Sequence, residues 1–175
     1  WAAVSIRAVA SRCSVSAGTI YNYYESKADL LSDTIESIWH EIFFHPEDEQ
    51  IFHDVESCIS WIYERLEYGN RQFPGFFSLH SFGFMRDEKT SGKKRMMKTW
   101  GHILNGLCEV LENDPKVRAD VFDQEFTEKK FADILFSLIL VSMIRQDYDP
   151  SSVLMLVKKT LYVTVQSQAK FQKQV

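Results

Sequence analysis

Ser16, Thr19, Tyr21, Asn22 and Tyr23 place four hydroxyls and one carboxamide within eight residues, and Ala17 and Gly18 add the two smallest residues beside them. Hydroxyls of this kind bond phosphate oxygens, a carboxamide reads a base edge, and small residues let a backbone come close to its target. Ser5, Arg7 and Lys27 flank the set with a further hydroxyl and two cations. The chemistry offered is recognition of duplex DNA through a major groove rather than bond making. The same pattern also fits the polar solvent face of two packed helices.

Such side chains need a short, firm carrier. Ile6, Val9, Ala10 and Cys13 recur at helical spacing, and Ser5 stands ahead of them as an N-cap. Ser14-Val15 breaks the period, and Val15 is expected to plug the angle between two helices. Ser16 caps a second helix running to about Tyr23 or Tyr24, with Ile20 and Tyr24 on one face. A helix of this length does not hold together alone. It must lean on its predecessor through Ile20 and Val15, which turns Ala17, Gly18, Thr19, Tyr21, Asn22 and Tyr23 outward.

The run Ile6-Arg7-x-Val9-Ala10-x-Arg12-Cys13-Ser14-Val15-Ser16-x-Gly18-Thr19-Ile20-Tyr21-x-Tyr23-Tyr24-x-Ser26-Lys27-x-x-Leu30 resembles the DNA-binding segment of tetracycline-repressor-like (TetR family) transcription regulators. Val15–Tyr21 is its most specific part, and the resemblance covers about residues 4–40. It implies a dimeric regulator, a repressor, with Ser5, Thr19, Tyr21, Tyr23 and Lys27 on phosphates. Arg7, Ala17, Gly18 and Asn22 then lie nearest base edges, and Ser16 caps the reader. The family also has a helix ahead of this motif. Trp1-Ala2-Ala3-Val4 reads as the connection out of it, so one wall of the unit is expected to be missing. The turn usually carries Ala-Gly where this chain has Cys13-Ser14, and Ser14 is expected in a left-handed conformation at some cost.

The chain has 175 residues, 45% of them hydrophobic, and a net charge of −4. That length and composition suit a packed globule with a small head and a larger body. Residues 1–27 carry +2 and the remainder −6, which fits a local DNA contact on an acidic body. Cys13, Cys58 and Cys108 are odd in number and widely spaced, as expected of reduced thiols in a cytoplasmic protein. The apolar run Ile134–Ile144 is too short to span a bilayer.

An all-α fold follows from the periodicity. Residues 1–45 form the head and its connecting helix, and residues 46–175 a helical ligand-binding and dimerisation domain. The connecting helix is capped by Ser26, carries Leu30, Leu31, Ile35, Ile38, Trp39 and Ile42 as its buried stripe, and ends before Pro46. In the resembled family this helix carries ligand state to the DNA reader. The acidic stretch Glu47–Gln50 reads as the start of a helix reaching Gly69-Asn70. Phe73-Pro74-Gly75 is punctuation before an aromatic helix through Met85. A helix over 93–111 and a polar link over 113–125 follow. Two last helices, about Thr127–Gln146 and Ser151–Gln172, are apolar nearly all round and need cover on two sides. A second copy of the same pair supplies it, giving a homodimer through about 127–172. The alternative is a single bundle with these helices at its centre.

No glycine-rich phosphate loop, metal-ligand pair or activated nucleophile is present, so neither enzyme activity, metal nor cofactor is expected. His45, Glu47 and Asp48 read as a polar loop. Trp61, Phe77, His80, Phe84, Met97, Trp100 and Phe136 lie on different body helices and can converge on a small apolar or aromatic effector, with His80 as the polar handle. They also read as ordinary core residues. The rival to a DNA-binding regulator is a helical ligand- or protein-binding module without DNA activity.

Overall fold

The computed structural model describes residues 5–44, 53–77 and 91–163, with backbone alone for 91–99. These residues fold into α1 (Ile6–Arg12), α2 (Ala17–Tyr21), α3 (Lys27–Phe43), α4 (Val55–Gln72), α5 (Ser91–Asn113), α6 (Glu128–Arg145) and α7 (Ser151–Val157). A π-helical turn, Lys158–Tyr162, continues α7. No strand occurs among the described residues, and the fold is all-α.

Most of the helix starts follow capping chemistry. Ser5, Ser16, Ser26, Asp54 and Thr127 each take an extended backbone and accept a hydrogen bond from the N–H three residues on. Asp54 sets the start of α4 at Val55, later than the expected acidic start. Its carboxyl also meets Lys116 Nζ at 2.6 Å, which holds its pKa down at about 2. Glu47–Gln50 lie outside the described residues, as do most of the expected aromatic helix and everything past Val163.

Two cores result. Ile6, Ala10 and Ile20 close a small one in the head, with Val9, Ala17, Tyr24 and Leu30 packed around it. The large one draws Ile35, Trp39 and Ile42 from α3, Val55 to Leu66 from α4, and Leu107 to Leu111 from α5. It continues through Phe131 to Met143 of α6 and Val153 to Leu161 at the chain's C-terminal side. α3 therefore belongs to both cores, and it packs against α4 and α5.

The C-terminal end of α3 is fastened to α4. Arg65 donates from Nε to the Ile42 carbonyl at 2.5 Å and from Nη2 to the Glu41 carbonyl at 3.2 Å. It thereby satisfies acceptors that a helix end leaves open. Beside it, Gly69 makes room for close approach: a Cβ there would sit 2.6 Å from Ile42 Cδ1 and 3.0 Å from Phe77 Cζ.

The link after α5 is tied by Asp114, which is 5% exposed. Its Oδ2 accepts from the Val55 N–H at 3.0 Å and the Tyr162 hydroxyl at 2.5 Å, and its Oδ1 from the Lys116 N–H at 2.8 Å. Arg118 donates its backbone N–H to the Leu161 carbonyl at 3.0 Å and its guanidinium to the Val163 carbonyl. The expected helix over 151–172 thus changes register at Lys158 and leaves helical geometry at Val163.

α6 follows its expected bounds. It buries Phe131, Ala132, Leu135, Phe136, Ile139 and Met143 against the body. Ile134, Val141 and Ile144 of α6, with Met155 and Leu156 of α7, remain exposed in the single chain.

Candidate nucleic-acid interface and ligand cavity

The turn between α1 and α2 ends α1 in a Schellman arrangement. Ser14 takes φ 56°, its N–H bonds the Ser11 carbonyl at 3.2 Å, and the Val15 N–H reaches the Ala10 carbonyl at 3.0 Å. The left-handed residue is the one expected from the sequence. A serine there carries a Cβ penalty that glycine lacks. Ser14→Gly should therefore raise stability by about 0.5–1 kcal/mol in urea denaturation, net of glycine's greater unfolded-state entropy. Unchanged or lower stability would show that the turn holds no such strain.

Val15 does not plug the helix angle as expected. Its backbone is engaged in closing the turn, and its side chain is exposed. Ile20, Ala17 and Val9 fill the angle instead. Ala17 is accordingly half-buried, which makes it a packing residue of the head as well as a small one.

α2 is shorter than expected and stops at Tyr21, with Asn22 as its C-cap. Ile20 is buried, while Gly18, Thr19, Tyr21, Asn22 and Tyr23 are exposed. Tyr21 is 56% and Tyr23 80% exposed, a large aromatic surface for residues that a core would otherwise claim. Ser16 Oγ and Thr19 Oγ1 lie 2.9 Å apart and share a hydrogen bond beside the cap. Ser5 and Arg7 are exposed on α1, and Lys27 is partly exposed at the start of α3. Behind this face, the Tyr24 hydroxyl donates to Asp33 Oδ2 at 3.1 Å, joining the segment after α2 to α3. That bond, together with burial, raises the Tyr24 pKa.

The body holds a cavity of about 750 Å³ between α3, α4 and α5. Glu36, Trp39, His40, Phe43 and Phe44 line it from α3 and its C-cap, and Cys58, Trp61 and Ile62 from α4. From α5 come His102, Ile103, Gly106, Leu107, Glu109, Val110 and Asn113. Trp39 stacks on Phe43 at 5.5 Å, Phe43 meets Trp61 edge-on at 5.8 Å, and His40 stacks on Phe44 at 4.4 Å.

Of the seven residues expected around an effector, this cavity takes Trp61. Phe77 does not line it; it is buried in the core against Trp39, Phe76 and Tyr148. Phe136 is buried and meets Trp100 edge-on at 5.8 Å, and neither lines the cavity. Trp100 Nε1 is buried without a hydrogen-bond partner among the described residues. His80 and Phe84 lie outside the described residues, and Met97 sits on α5 with its backbone alone described.

His40, Phe43, Phe44, His102 and Gly106 escaped the sequence reading. A signal was there: positions 36, 39, 40 and 43 step by three and four, and 102, 103, 106, 109, 110 and 113 do the same on α5. The first stripe mixes aromatic, histidine and carboxylate side chains and the second aliphatic, histidine and carboxylate ones, as a half-buried wall does.

Two comparisons with known proteins return nothing: no curated protein and no solved structure matches the chain. The family model described as bacterial regulatory proteins, tetR family, matches residues 1–34, the stretch that carries α1, the strained turn, α2 and the start of α3. With the capped helix pair and its outward polar face in that stretch, the N-terminal segment is similar to the DNA-binding part of that family, which supports a DNA-binding transcription regulator.

Proposed function

We propose that the protein is a dimeric repressor whose hold on its operator is set by a small effector in the body. The exposure of Tyr21 and Asn22 on a helix backed by buried Ile20 carries this reading. In the complex, Ser5, Thr19, Tyr21, Tyr23 and Lys27 hold phosphates, and Arg7, Gly18 and Asn22 face base edges, with Ala17 beside them. Ser16 keeps the reader's first turn formed. Residues 1–45 act as the head with its connecting helix and 46–175 as the effector and dimer domain, with α3 common to both cores.

The exposed apolar side chains of α6 and α7 support pairing with a second copy. Two-fold pairing puts the reader helices about 34–36 Å apart, or a multiple of that, on a near-palindromic site. An effector shifts the equilibrium only by its differential affinity for the bound and free conformations.

A mobility-shift titration on the DNA upstream of the protein's own gene, repeated across a salt series, tests the reading. Binding should be sequence-specific and weaken steeply with salt. Tyr21→Ala should lower affinity about tenfold, the scale of one hydrogen bond to a charged oxygen, and leave dimerisation unchanged. Absence of any shift at low salt would refute the DNA-binding assignment.

A further inference from the structure

The cavity between α3, α4 and α5 has a one-sided chemistry. Four of its walls are aromatic rings: Trp39, Phe43, Phe44 and Trp61. Its titratable lining residues are the carboxylates Glu36 and Glu109, the thiol Cys58 and the imidazoles His40 and His102, and among the described residues neither lysine nor arginine contributes to the lining. Its volume of about 750 Å³ suits a drug-sized occupant. Gly106 lies in the α5 wall, and a Cβ built there meets none of the described residues within 4 Å. The glycine thus opens onto free space rather than onto a neighbouring helix.

We propose that this cavity binds an organic cation of high apolar content, its charge set against the aromatic faces and the carboxylates. The inference rests on the effector reading above and narrows it from any apolar molecule to a positively charged one. Aromatic faces carry negative potential and attract a cation that sheds its water cheaply. The carboxylates add a field of the same sign, and the apolar walls remove the body of the ligand from water. An anion of equal size meets repulsion from both. Five lining residues belong to α3 and its cap, so the occupant touches the helix that runs from the head into the body.

Tetraphenylphosphonium and tetraphenylborate, nearly equal in size and shape and opposite in charge, separate the possibilities. Each is titrated into the full chain and followed by quenching of tryptophan fluorescence, with direct calorimetry as a second readout. The cation should bind at least about tenfold more tightly than the anion. Glu109→Gln, at an exposed position that folding does not depend on, should reduce that preference severalfold. Gly106→Leu should weaken both probes by filling the space beside α5. Equal binding of the two probes, or tighter binding of the borate, overturns the charge preference while leaving an apolar effector site standing. Failure of both probes to bind overturns the cation site and withdraws support from an effector in this cavity. A preference for the cation that Glu109→Gln and Gly106→Leu both leave intact places binding elsewhere and overturns the assignment as well.

Discussion

Asp114→Ala is expected to cost about 3–5 kcal/mol of folding stability, a large share of what a domain of this size possesses. The carboxylate is buried and accepts from the Val55 N–H, the Tyr162 hydroxyl and the Lys116 N–H. Removing it strands the first two donors inside the body, where each unpartnered group costs about 1–3 kcal/mol. Burial, followed by the bond to Asp114, pushes the Tyr162 pKa well above that of a free phenol, so the hydroxyl stays protonated and donating. Tyr162→Phe removes one donor and one bond together and should cost about 1–2 kcal/mol. The double variant should fall short of the sum, because the two side chains share one interaction. Urea denaturation of the four proteins measures this, and a cost below about 1 kcal/mol for Asp114→Ala would contradict the account.

The second large effect concerns the outer face of α6. If the proposed dimer forms through this face, Val141→Asp should convert it to a monomer in sedimentation equilibrium and lower operator affinity by about a hundredfold or more. Val141 is 48% exposed in the single chain, so the substitution leaves the subunit's own core untouched. Around a two-fold axis the same substitution puts a pair of carboxylates into one apolar contact, and desolvating unpaired charge costs several kcal/mol. In the proposed dimer, losing the partner also costs the second half-site on the DNA, where linkage makes binding effectively intramolecular. Ile134→Asp, about two turns away on the same helix, should act the same way. A variant that remains dimeric would remove this face from the interface.

The head was legible because its information is local. Ser5, Ser16 and Ser26 each cap the helix that follows within three residues, and Ile6, Ala10 and Ile20 show their burial in the spacing alone. The left-handed turn at Ser14 was expected from the resemblance, in which that place usually holds glycine. The limits of α6 were visible for the same reason, with Thr127 at one end and a break after Arg145 at the other.

What stayed hidden depends on distance along the chain. Asp114 meets partners 59 and 48 residues away, and no local period marks it as buried. The cavity is assembled from three helices, so whether an aromatic residue faces it or the core is decided by how those helices cross. Phe77 and Phe43 look alike in sequence. Phe77 closes on the Gly69 contact, and Phe43 opens onto the cavity. Val15 misled because an apolar residue in a turn reads as a plug, whereas here only its backbone was required.

The anchoring of α3 at Glu41 and Ile42 by Arg65, next to the tight glycine contact, makes that end of the helix the stiffer one. Any tilt of the rod then pivots near Phe43, and its opposite end sweeps furthest. Seventeen residues span about 25 Å. A tilt of about five degrees therefore carries Lys27 through about 2 Å, comparable with the tolerance of a hydrogen bond to DNA. An ångström of adjustment in the body becomes a misfit of registry in the groove.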